Sequence, residues 1–183
     1  MLEIDNQKIL LHSCCAICSA YPITLLQSMG YDVIVYFYNP NIYPEQEFCY
    51  RLEAQKKLCE SLNCKLIIAD YIKEEFYEKI KGFENEPEKG ARCEVCFKLR
   101  LEKTADYARE NNIGKFTTSI VISPHKNFSK LSLIGENMAK ENGLEYLSID
   151  FKKSDGFFKT NKISKELELY RQNYCGCEYS VRK

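Results

Sequence analysis

The sequence lacks several features that would identify a membrane or secreted protein. No apolar run approaches the roughly 20 residues that span a bilayer, and the charged N-terminus has no apolar core of a secretory signal. The chain also has no net charge, because 26 basic residues balance 26 acidic ones. These absences argue against a transmembrane protein and against a strongly cationic nucleic-acid binder. We therefore expect a cytoplasmic protein that contacts no membrane.

Cysteine is abundant by contrast, with ten residues in a chain of 183. A reducing compartment disfavours structural disulfides, and a chain of this length does not need them to fold. Clustered cysteines therefore indicate metal or redox chemistry. Seven of the ten form three clusters, which are Cys14, Cys15 and Cys18, then Cys93 and Cys96, then Cys175 and Cys177. We interpret the other three as ordinary buried or half-buried residues.

The order of apolar and polar segments predicts alternating strands and helices. Short apolar runs at residues 9–11, 31–38, 65–69, 115–123 and 144–151 are typical of strands. Helical repeats at residues 21–29, 44–63, 71–83, 93–111 and 129–143 separate them, followed by an irregular basic stretch at 152–165 and a short helix at 166–172. This alternation implies parallel crossovers. We expect one α/β domain over residues 1–183, a Rossmann-like parallel sheet flanked by helices, with a cysteine-containing C-terminal tail.

Two of the cysteine clusters lie where such a fold binds ligands. The first cluster follows the first strand, and ligands of open α/β sheets bind at the carboxyl edge. Cys93 and Cys96 begin a predicted helix, whose N-terminus favours thiolates. The long α/β stretch between the clusters favours an active-site metal over a small structural zinc module. The spacing alone gives an iron–sulfur cluster and a zinc ion about equal weight.

The C-terminal pair, Cys175 and Cys177, has two interpretations. Cysteines one residue apart can form a strained, easily reduced disulfide that serves in catalysis. Alternatively, the pair supplies further metal ligands. Gly176 between them permits the unusual backbone angles that either arrangement requires.

Six ordered motifs resemble those of the QueH family, the cobalamin-independent epoxyqueuosine reductases. The resemblance spans nearly the whole chain, from His12 to Ser180. The motifs read HSCCAIC at 12–18, NPNIYP at 39–44, RCEVC at 92–96, SPHK at 123–126, DFKK at 150–153 and YRQNYCGCEYS at 170–180. One departure is Ile17, which stands where the family usually has proline and changes loop stiffness more than chemistry.

The resemblance implies an oxidoreductase that completes queuosine biosynthesis. It would remove the epoxide oxygen of epoxyqueuosine at the wobble position of tRNA in a two-electron step, giving queuosine and water. The implied cofactor is a [4Fe–4S] cluster with an additional mononuclear iron, and the electron donor is unidentified. By motif match, the metal ligands are Cys14, Cys15, Cys93 and Cys96, with Cys18 at a position where some members carry Asp.

The remaining site residues are expected from their chemistry. The Cys175 and Cys177 dithiol supplies or relays reducing equivalents, and His12 and Tyr174 are candidate proton donors. The C-terminal third is rich in basic residues, which predicts a face that contacts tRNA phosphates. Its candidates are Lys126, Lys152, Lys153 and Arg171, and the tyrosines that we expect to stack a base are Tyr36, Tyr38, Tyr43, Tyr170 and Tyr174.

Two alternatives from other classes stay open. One is a non-catalytic zinc-binding α/β module. The other is a nucleotide-dependent tRNA-modifying enzyme such as a thiolase, which requires a Gly/Ser-rich phosphate loop after the first strand. The chain has cysteines at that position, with no G-x-G or S-G-G-x-D pattern.

Overall fold

A parallel sheet forms the centre of the computed structural model, which describes residues 5–181. Residues 1–4 and 182–183 of the expected domain lie outside the described residues. The strands in chain order are Asp5–His12 (β1), Asp32–Phe37 (β2), Lys65–Ile68 (β3), Ile113–Thr118 (β4) and Glu145–Tyr146 (β5). Their spatial order is β3-β2-β1-β4-β5, and every neighbouring pair is parallel. The Rossmann-like fold class is therefore confirmed, and the strand order reverses between β1 and β4.

Helices cover the sheet on both sides, as the apolar run in β1 requires. They span Ala16–Ser28 (α1), Glu45–Ser61 (α2), Lys73–Lys79 (α3), Ala91–Glu110 (α4), Phe128–Asn142 (α5) and Gly156–Glu166 (α6). Helices α1, α2 and α6 pack with one another, and α3, α4 and α5 form the second group. Ile9, Leu10 and Leu11 are fully buried between these layers. None of the helices in residues 5–181 combines the length and apolar character of a membrane span.

Two of the predicted strands are too long. The run expected at 115–123 leaves the sheet after Thr118, whose side chain accepts a hydrogen bond from the Ile120 N–H and starts a 3₁₀ turn over Ser119–Ile122. The run expected at 144–151 pairs only over β5. Both stretches are apolar because they are buried beside the sheet. An apolar run thus reports burial and does not by itself specify a strand.

Helix α6 occupies the stretch that we expected to be irregular, and no helix follows at 166–172. Its buried face carries Thr160 and Ser164 where a core helix usually has large apolar residues. Thr160 accepts a hydrogen bond from the Tyr21 N–H at 3.2 Å and donates to the Ile17 carbonyl. This helix packs on α1 mainly through small polar side chains, with Ile163 partly buried beside them, so it lacks the large apolar residues by which a core helix is recognised.

Candidate metal and substrate site

The first cysteine cluster lies at the carboxyl end of β1, at the switch point of the sheet. Helix α1 begins earlier than predicted, because the Cys15 thiol caps it by accepting a hydrogen bond from the Cys18 N–H at 3.3 Å. The Sγ atoms of Cys14, Cys15 and Cys18 all lie within 4.8 Å of one another. Among the described residues, no other group of three Cys, His, Asp or Glu side chains comes as close. Three thiols are thus arranged to bind one metal centre.

The charge state of these thiols is uneven. Hydrogen bonds with Cys15 and Cys18 lower the pKa of Cys14 well below its usual range, and the Arg100 guanidinium acts in the same direction. The hydrogen bond with Cys14 correspondingly raises the pKa of Cys15 to about 12. Cys14 is therefore the first of the three to become a thiolate, the form that binds a metal.

Buried hydroxyl groups hold the cysteine loop in place. The Ser13 hydroxyl donates to the Gln55 amide oxygen of α2 at 2.6 Å, and it pairs with the Ser19 hydroxyl at 2.5 Å. The Ser19 hydroxyl also lies 3.3 Å from the Ser119 hydroxyl, which accepts the Cys14 N–H at 3.5 Å. These bonds connect the loop to α1, α2 and the end of β4 and so fix its position in the absence of a ligand.

His12 is fully buried next to this loop. Its Nε2 atom lies 3.1 Å from the Tyr38 carbonyl and its Nδ1 atom 2.9 Å from the Thr118 hydroxyl. Burial and then the nearby Arg100 lower the pKa of His12 to about 3, so the ring is neutral. A neutral ring donates from Nε2 to Tyr38 and accepts from Thr118. This placement supports a positioning role, and proton donation by His12 stays a prediction.

The second and third cysteine clusters lie beside each other. Cys93 in the first turn of α4 accepts a hydrogen bond from the Lys89 N–H at 3.2 Å, and burial raises the pKa of Cys96 to about 11. Both residues line a small pocket with Cys175 and Cys177. They are not part of the close group formed by the first cluster.

The C-terminal tail folds back over the carboxyl edge of the sheet. Arg51 of α2, paired with Glu47 at 2.7 Å, donates to the carbonyls of Tyr174 at 3.2 Å and Cys175 at 2.9 Å. Gly176 has a φ of +142°, and a Cβ atom there would lie 3.2 Å from the Arg51 guanidinium. Glycine is required for this turn, and all ten cysteines, including the pair beside it, are free thiols.

A cavity of about 440 Å³ separates the tail from the first cluster. Cys14 and Cys18 line it together with Tyr174 and Cys175. The first and third clusters share this cavity, and the second and third share the small pocket. The tail therefore brings cysteines from three distant parts of the chain to one place.

Besides the buried Arg51 and Arg92, two more cations lie among these thiols, the buried Arg100 and the half-buried Lys126. Arg100 is 3% exposed, and its nitrogens reach only the Asn39 amide oxygen and the Cys96 carbonyl, both at 3.4 Å. No carboxylate of the described residues forms an ion pair with Arg100. The Lys126 ammonium donates to the Cys175 Sγ atom at 3.2 Å and lies 3.9 Å from Glu88. Burial lowers the pKa of Lys126, but attraction to Cys175 outweighs it and raises the pKa. The site carries positive charge that nearby carboxylates do not fully offset.

A family model described as "Epoxyqueuosine reductase QueH" matches residues 9–183 of the chain. The chain belongs to this QueH family. A QueH of Acinetobacter baylyi is 42% identical over 180 residues, covering 97% of this chain and 83% of the relative. A QueH of Histophilus somni is 39% identical over 182 residues, covering 99% and 75%. The predicted family membership is thus confirmed, and the protein is an oxidoreductase.

Solved structures show the same fold at low sequence identity. A predicted tRNA methyltransferase subunit of Methanocaldococcus jannaschii superposes with a TM-score of 0.59 and 12% identity, covering 85% of this chain and 76% of its own. The U34-tRNA thiolase NcsA of Methanococcus maripaludis, solved with its [4Fe-4S] cluster, gives 0.57 and 14%, covering 98% and 62%. These neighbours support the fold assignment alone.

The residues expected to bind tRNA divide into two groups in this QueH-family structure. Lys126 points into the cavity towards Cys175, and Lys152 is half-buried and donates to the Lys126 carbonyl at 3.1 Å. Lys153 and Arg171 are exposed. Binding of these four residues to tRNA stays a prediction. Of the four, Lys153 and Arg171 have the exposed side chains.

The tyrosines divide in the same way. Tyr36 and Tyr38 are buried in the sheet, Tyr43 and Tyr170 are exposed, and Tyr174 lines the cavity. The first two are core residues and have no surface for stacking a base. Of the isolated cysteines, Cys59 and Cys64 are buried and half-buried as expected, whereas Cys49 is exposed.

Sequence reasoning missed two residues of this QueH-family site. Arg51 and Arg100 read as ordinary helical charges, although both are almost fully buried. Arg100 did carry a signal, because it stands one helical turn after Cys96 and between Leu99 and Leu101 on α4. A charge on the buried face of a helix, beside a ligand position, indicates an electrostatic role.

Proposed function

We propose that this QueH-family oxidoreductase removes the epoxide oxygen of epoxyqueuosine at the wobble position of tRNA, giving queuosine and water. The observation that supports it most is the meeting of three cysteine clusters, Arg100 and Lys126 around a cavity and the small pocket beside it at the switch point of the sheet. Ligands of open α/β folds bind at this position. The cavity has the size of a small-molecule site, which suits a single modified base.

The donor set fits an iron–sulfur cofactor. Its members are soft thiolates, which select iron–sulfur clusters or zinc over hard cations. Arg100 is buried without a carboxylate partner, and an isolated buried charge is costly unless an opposite charge offsets it. A thiolate-bound cluster has net negative charge and satisfies this requirement. When bound, such a cluster would supply a path for single electrons, and an iron that the four cluster cysteines do not ligate would supply a Lewis acid for the epoxide oxygen.

The finer form of this proposal assigns the cysteines individually. Cys14 and Cys15 of the sheet edge, with Cys93 and Cys96 of α4, hold a [4Fe–4S] cluster. Cys18 serves an additional mononuclear iron beside it. The place of Cys18 on the cavity wall supports this division, since a metal ion that it holds is open to a ligand in the cavity.

The dithiol of the tail supplies the reducing equivalents. Cys175 and Cys177 lose two electrons and two protons as their S–S bond forms. The epoxide loses both C–O bonds, a carbon–carbon double bond forms, and the oxygen leaves as water. The balance is epoxide plus dithiol giving alkene, water and disulfide, and an external thiol reductant restores the dithiol. Lys126 orients the Cys175 sulfur towards the cavity.

Tyr174 is the proton donor in this proposal. Burial raises the pKa of its phenol, so it is protonated near neutral pH. The hydroxyl group donates to the Tyr43 carbonyl at the edge of the cavity. The same tail thus carries both the reductant and a proton.

The decisive test compares the cofactor content of cysteine variants of the protein and their activity on tRNA that contains epoxyqueuosine. Protein purified without oxygen is assayed for iron, acid-labile sulfide and a reduced-cluster EPR signal, and queuosine is measured by mass spectrometry of digested tRNA. We expect Cys14→Ser and Cys93→Ser to lose iron and activity. Cys49→Ser is the matched control, since Cys49 is exposed outside the site. Zinc without labile sulfide in active wild-type protein would contradict the cofactor assignment.

A further inference from the structure

Two adjacent phenylalanines stand in solvent at the start of α6. Phe158 is 71% exposed, the most exposed large apolar side chain among residues 7–181, and Phe157 is 44% exposed. A single exposed apolar residue needs no explanation. Two neighbouring aromatic rings that do not contribute to the core are unusual and suggest a contact surface.

The geometry of α6 places Phe158 away from the packed side of the helix and Phe157 at the border of that side. Thr160 and Ser164 form its buried face. At 100° per residue, Phe158 and Lys162 lie on the opposite face, one turn apart. Phe157 lies on a flank with Asn161, whose side chain donates to the Phe157 carbonyl at 2.7 Å. The rings therefore present two adjoining aromatic surfaces.

The surroundings of the rings are strongly basic. The stretch 152–165 contains five lysines and one acidic residue in a chain without net charge. Lys153 and Lys162 are exposed, and Lys162 has only a 3.9 Å pair with Glu166. Aromatic rings among lysines are the composition of surfaces that bind unpaired nucleic acid, where bases stack and phosphates meet cations.

This surface adjoins the cavity on two sides. The Lys152 ammonium, just before α6, donates to the carbonyl of Lys126 on the cavity wall. On the other side, Arg171 donates to the Asn161 side chain at 2.5 Å and precedes the tail segment that lines the cavity. A polymer that inserts one base into the cavity would pass its neighbours along α6.

We propose that Phe157 and Phe158 form a stacking platform for an unpaired base of the tRNA anticodon loop, next to the nucleotide that enters the cavity. The proposal rests on the proposed function, because it assumes a tRNA substrate. Stacking on the two rings holds the loop open, and the lysines of 152–165 contact the flanking phosphates. The rings and the lysines thus make separable contributions to affinity.

The test measures binding of a fluorescent anticodon stem–loop RNA over a range of salt concentrations. In the double variant Phe157→Ala with Phe158→Ala, we expect affinity to fall at least about 10-fold with an unchanged salt slope, because stacking releases no counterions. Lys153→Glu with Lys162→Glu should instead lower the slope. Phe158→Tyr should retain most of the affinity, and Leu133→Ala on α5, where Leu133 is 60% exposed, is the matched control.

Three outcomes would overturn the proposal, and they differ in whether they also reject tRNA recognition by this protein. If the double phenylalanine variant binds as well as wild type, the platform is wrong and the proposed function stands. If the wild-type protein binds no RNA even at low salt, tRNA recognition and the platform both fail. If the variant loses binding to anionic phospholipid vesicles but keeps RNA binding, the rings serve a membrane surface instead. An unchanged melting temperature in the variant confirms that its fold is intact.

Discussion

Positive charge appears in two very different settings in this protein. Arg100 is buried and Lys126 half-buried among thiols at the sheet edge, whereas Lys153 and Lys162 extend into solvent around α6. A buried cation without a carboxylate requires an anion that is present most of the time. An exposed lysine contributes little to the free energy of unfolding and suits an anion that binds reversibly. We therefore expect the buried cation to face a resident cofactor and the exposed lysines to contact an exchangeable substrate.

The largest effect is expected from removing the buried guanidinium. Arg100→Met should lose most of the bound iron and reduce turnover by about 100-fold or more, because the thiolates lose their counter-charge. Any cluster that remains should have a lower midpoint potential, since a nearby cation favours the reduced state. Iron analysis and EPR-monitored redox titration measure both effects.

The metal-free form of the same variant should behave in the opposite way. Without the cofactor, Arg100 is an uncompensated buried charge, so Arg100→Met should leave the free energy of unfolding unchanged or raise it by on the order of 1 kcal/mol. Chelator-treated protein in urea melts gives this value. Arg100→Lys keeps the charge and should restore part of the iron. Full iron binding by the methionine variant would show that the buried cation has no such role.

The next effect concerns the cation that contacts the tail. In Lys126→Met, alkylation of Cys175 by iodoacetamide at fixed pH should slow about 10-fold, because the Cys175 Sγ atom loses the hydrogen bond that the ammonium donates. RNA affinity should stay within a factor of two, since the side chain points into the cavity. Mass spectrometry of the labelled peptide gives the rate. If the variant instead loses RNA affinity while the alkylation rate of Cys175 is unchanged, Lys126 is one of the tRNA contacts.

A smaller effect is expected for the exposed lysines. Lys153→Glu should weaken RNA binding several-fold and reduce the slope of log affinity against log salt by about 1, with unchanged iron content. Lys153 is a cleaner choice than Lys152, which is half-buried and hydrogen-bonded to the cavity wall. Fluorescence anisotropy titrations and iron analysis on the same preparation distinguish an RNA contact from an effect on the cofactor site. A loss of iron would mean that the exposed lysines and the buried cation are not independent.

The smallest effect is expected for a cation that already has a partner. Lys130 on α5 pairs with Glu94 at the surface. Lys130→Ala should change the free energy of unfolding by less than about 1 kcal/mol and leave iron content and RNA affinity unchanged. Denaturant melts measure the first quantity. A marked drop in RNA affinity would extend the nucleic-acid surface to α5.

Most of the sheet could be predicted from local patterns. The apolar runs of β1 and β2 match their predicted positions within a few residues, because strands buried on both faces need continuous apolar sequence. The run of β3 also matches, although this edge strand is exposed or half-buried throughout. Helix α6 was not predicted, since its buried residues are Gly156, Thr160 and Ser164 and none of them is large and apolar. The 3₁₀ turn after Thr118 was likewise hidden, because its residues are as apolar as a strand.

The candidate site shows the same division. Motif order predicted the first cysteine cluster at the carboxyl edge of the sheet and the second at a helix N-terminus, and the structure brings the third cluster beside both. The distances between the thiols depend on how α1, α4 and the tail pack. This packing places Cys93 and Cys96 beside the tail. The rings of Phe157 and Phe158 were overlooked because aromatic residues are normally taken for core.

The family, the order of elements, the parallel sheet and the cysteine clusters can be read from the amino-acid sequence, because they depend on local periodicity and on spacing along the chain. The burial of Arg100 without a carboxylate, the contact of Lys126 with Cys175 and the exposure of two phenylalanines become visible only in the folded protein. Burial is a property of contacts between distant segments, and residues of identical type acquire different roles from it.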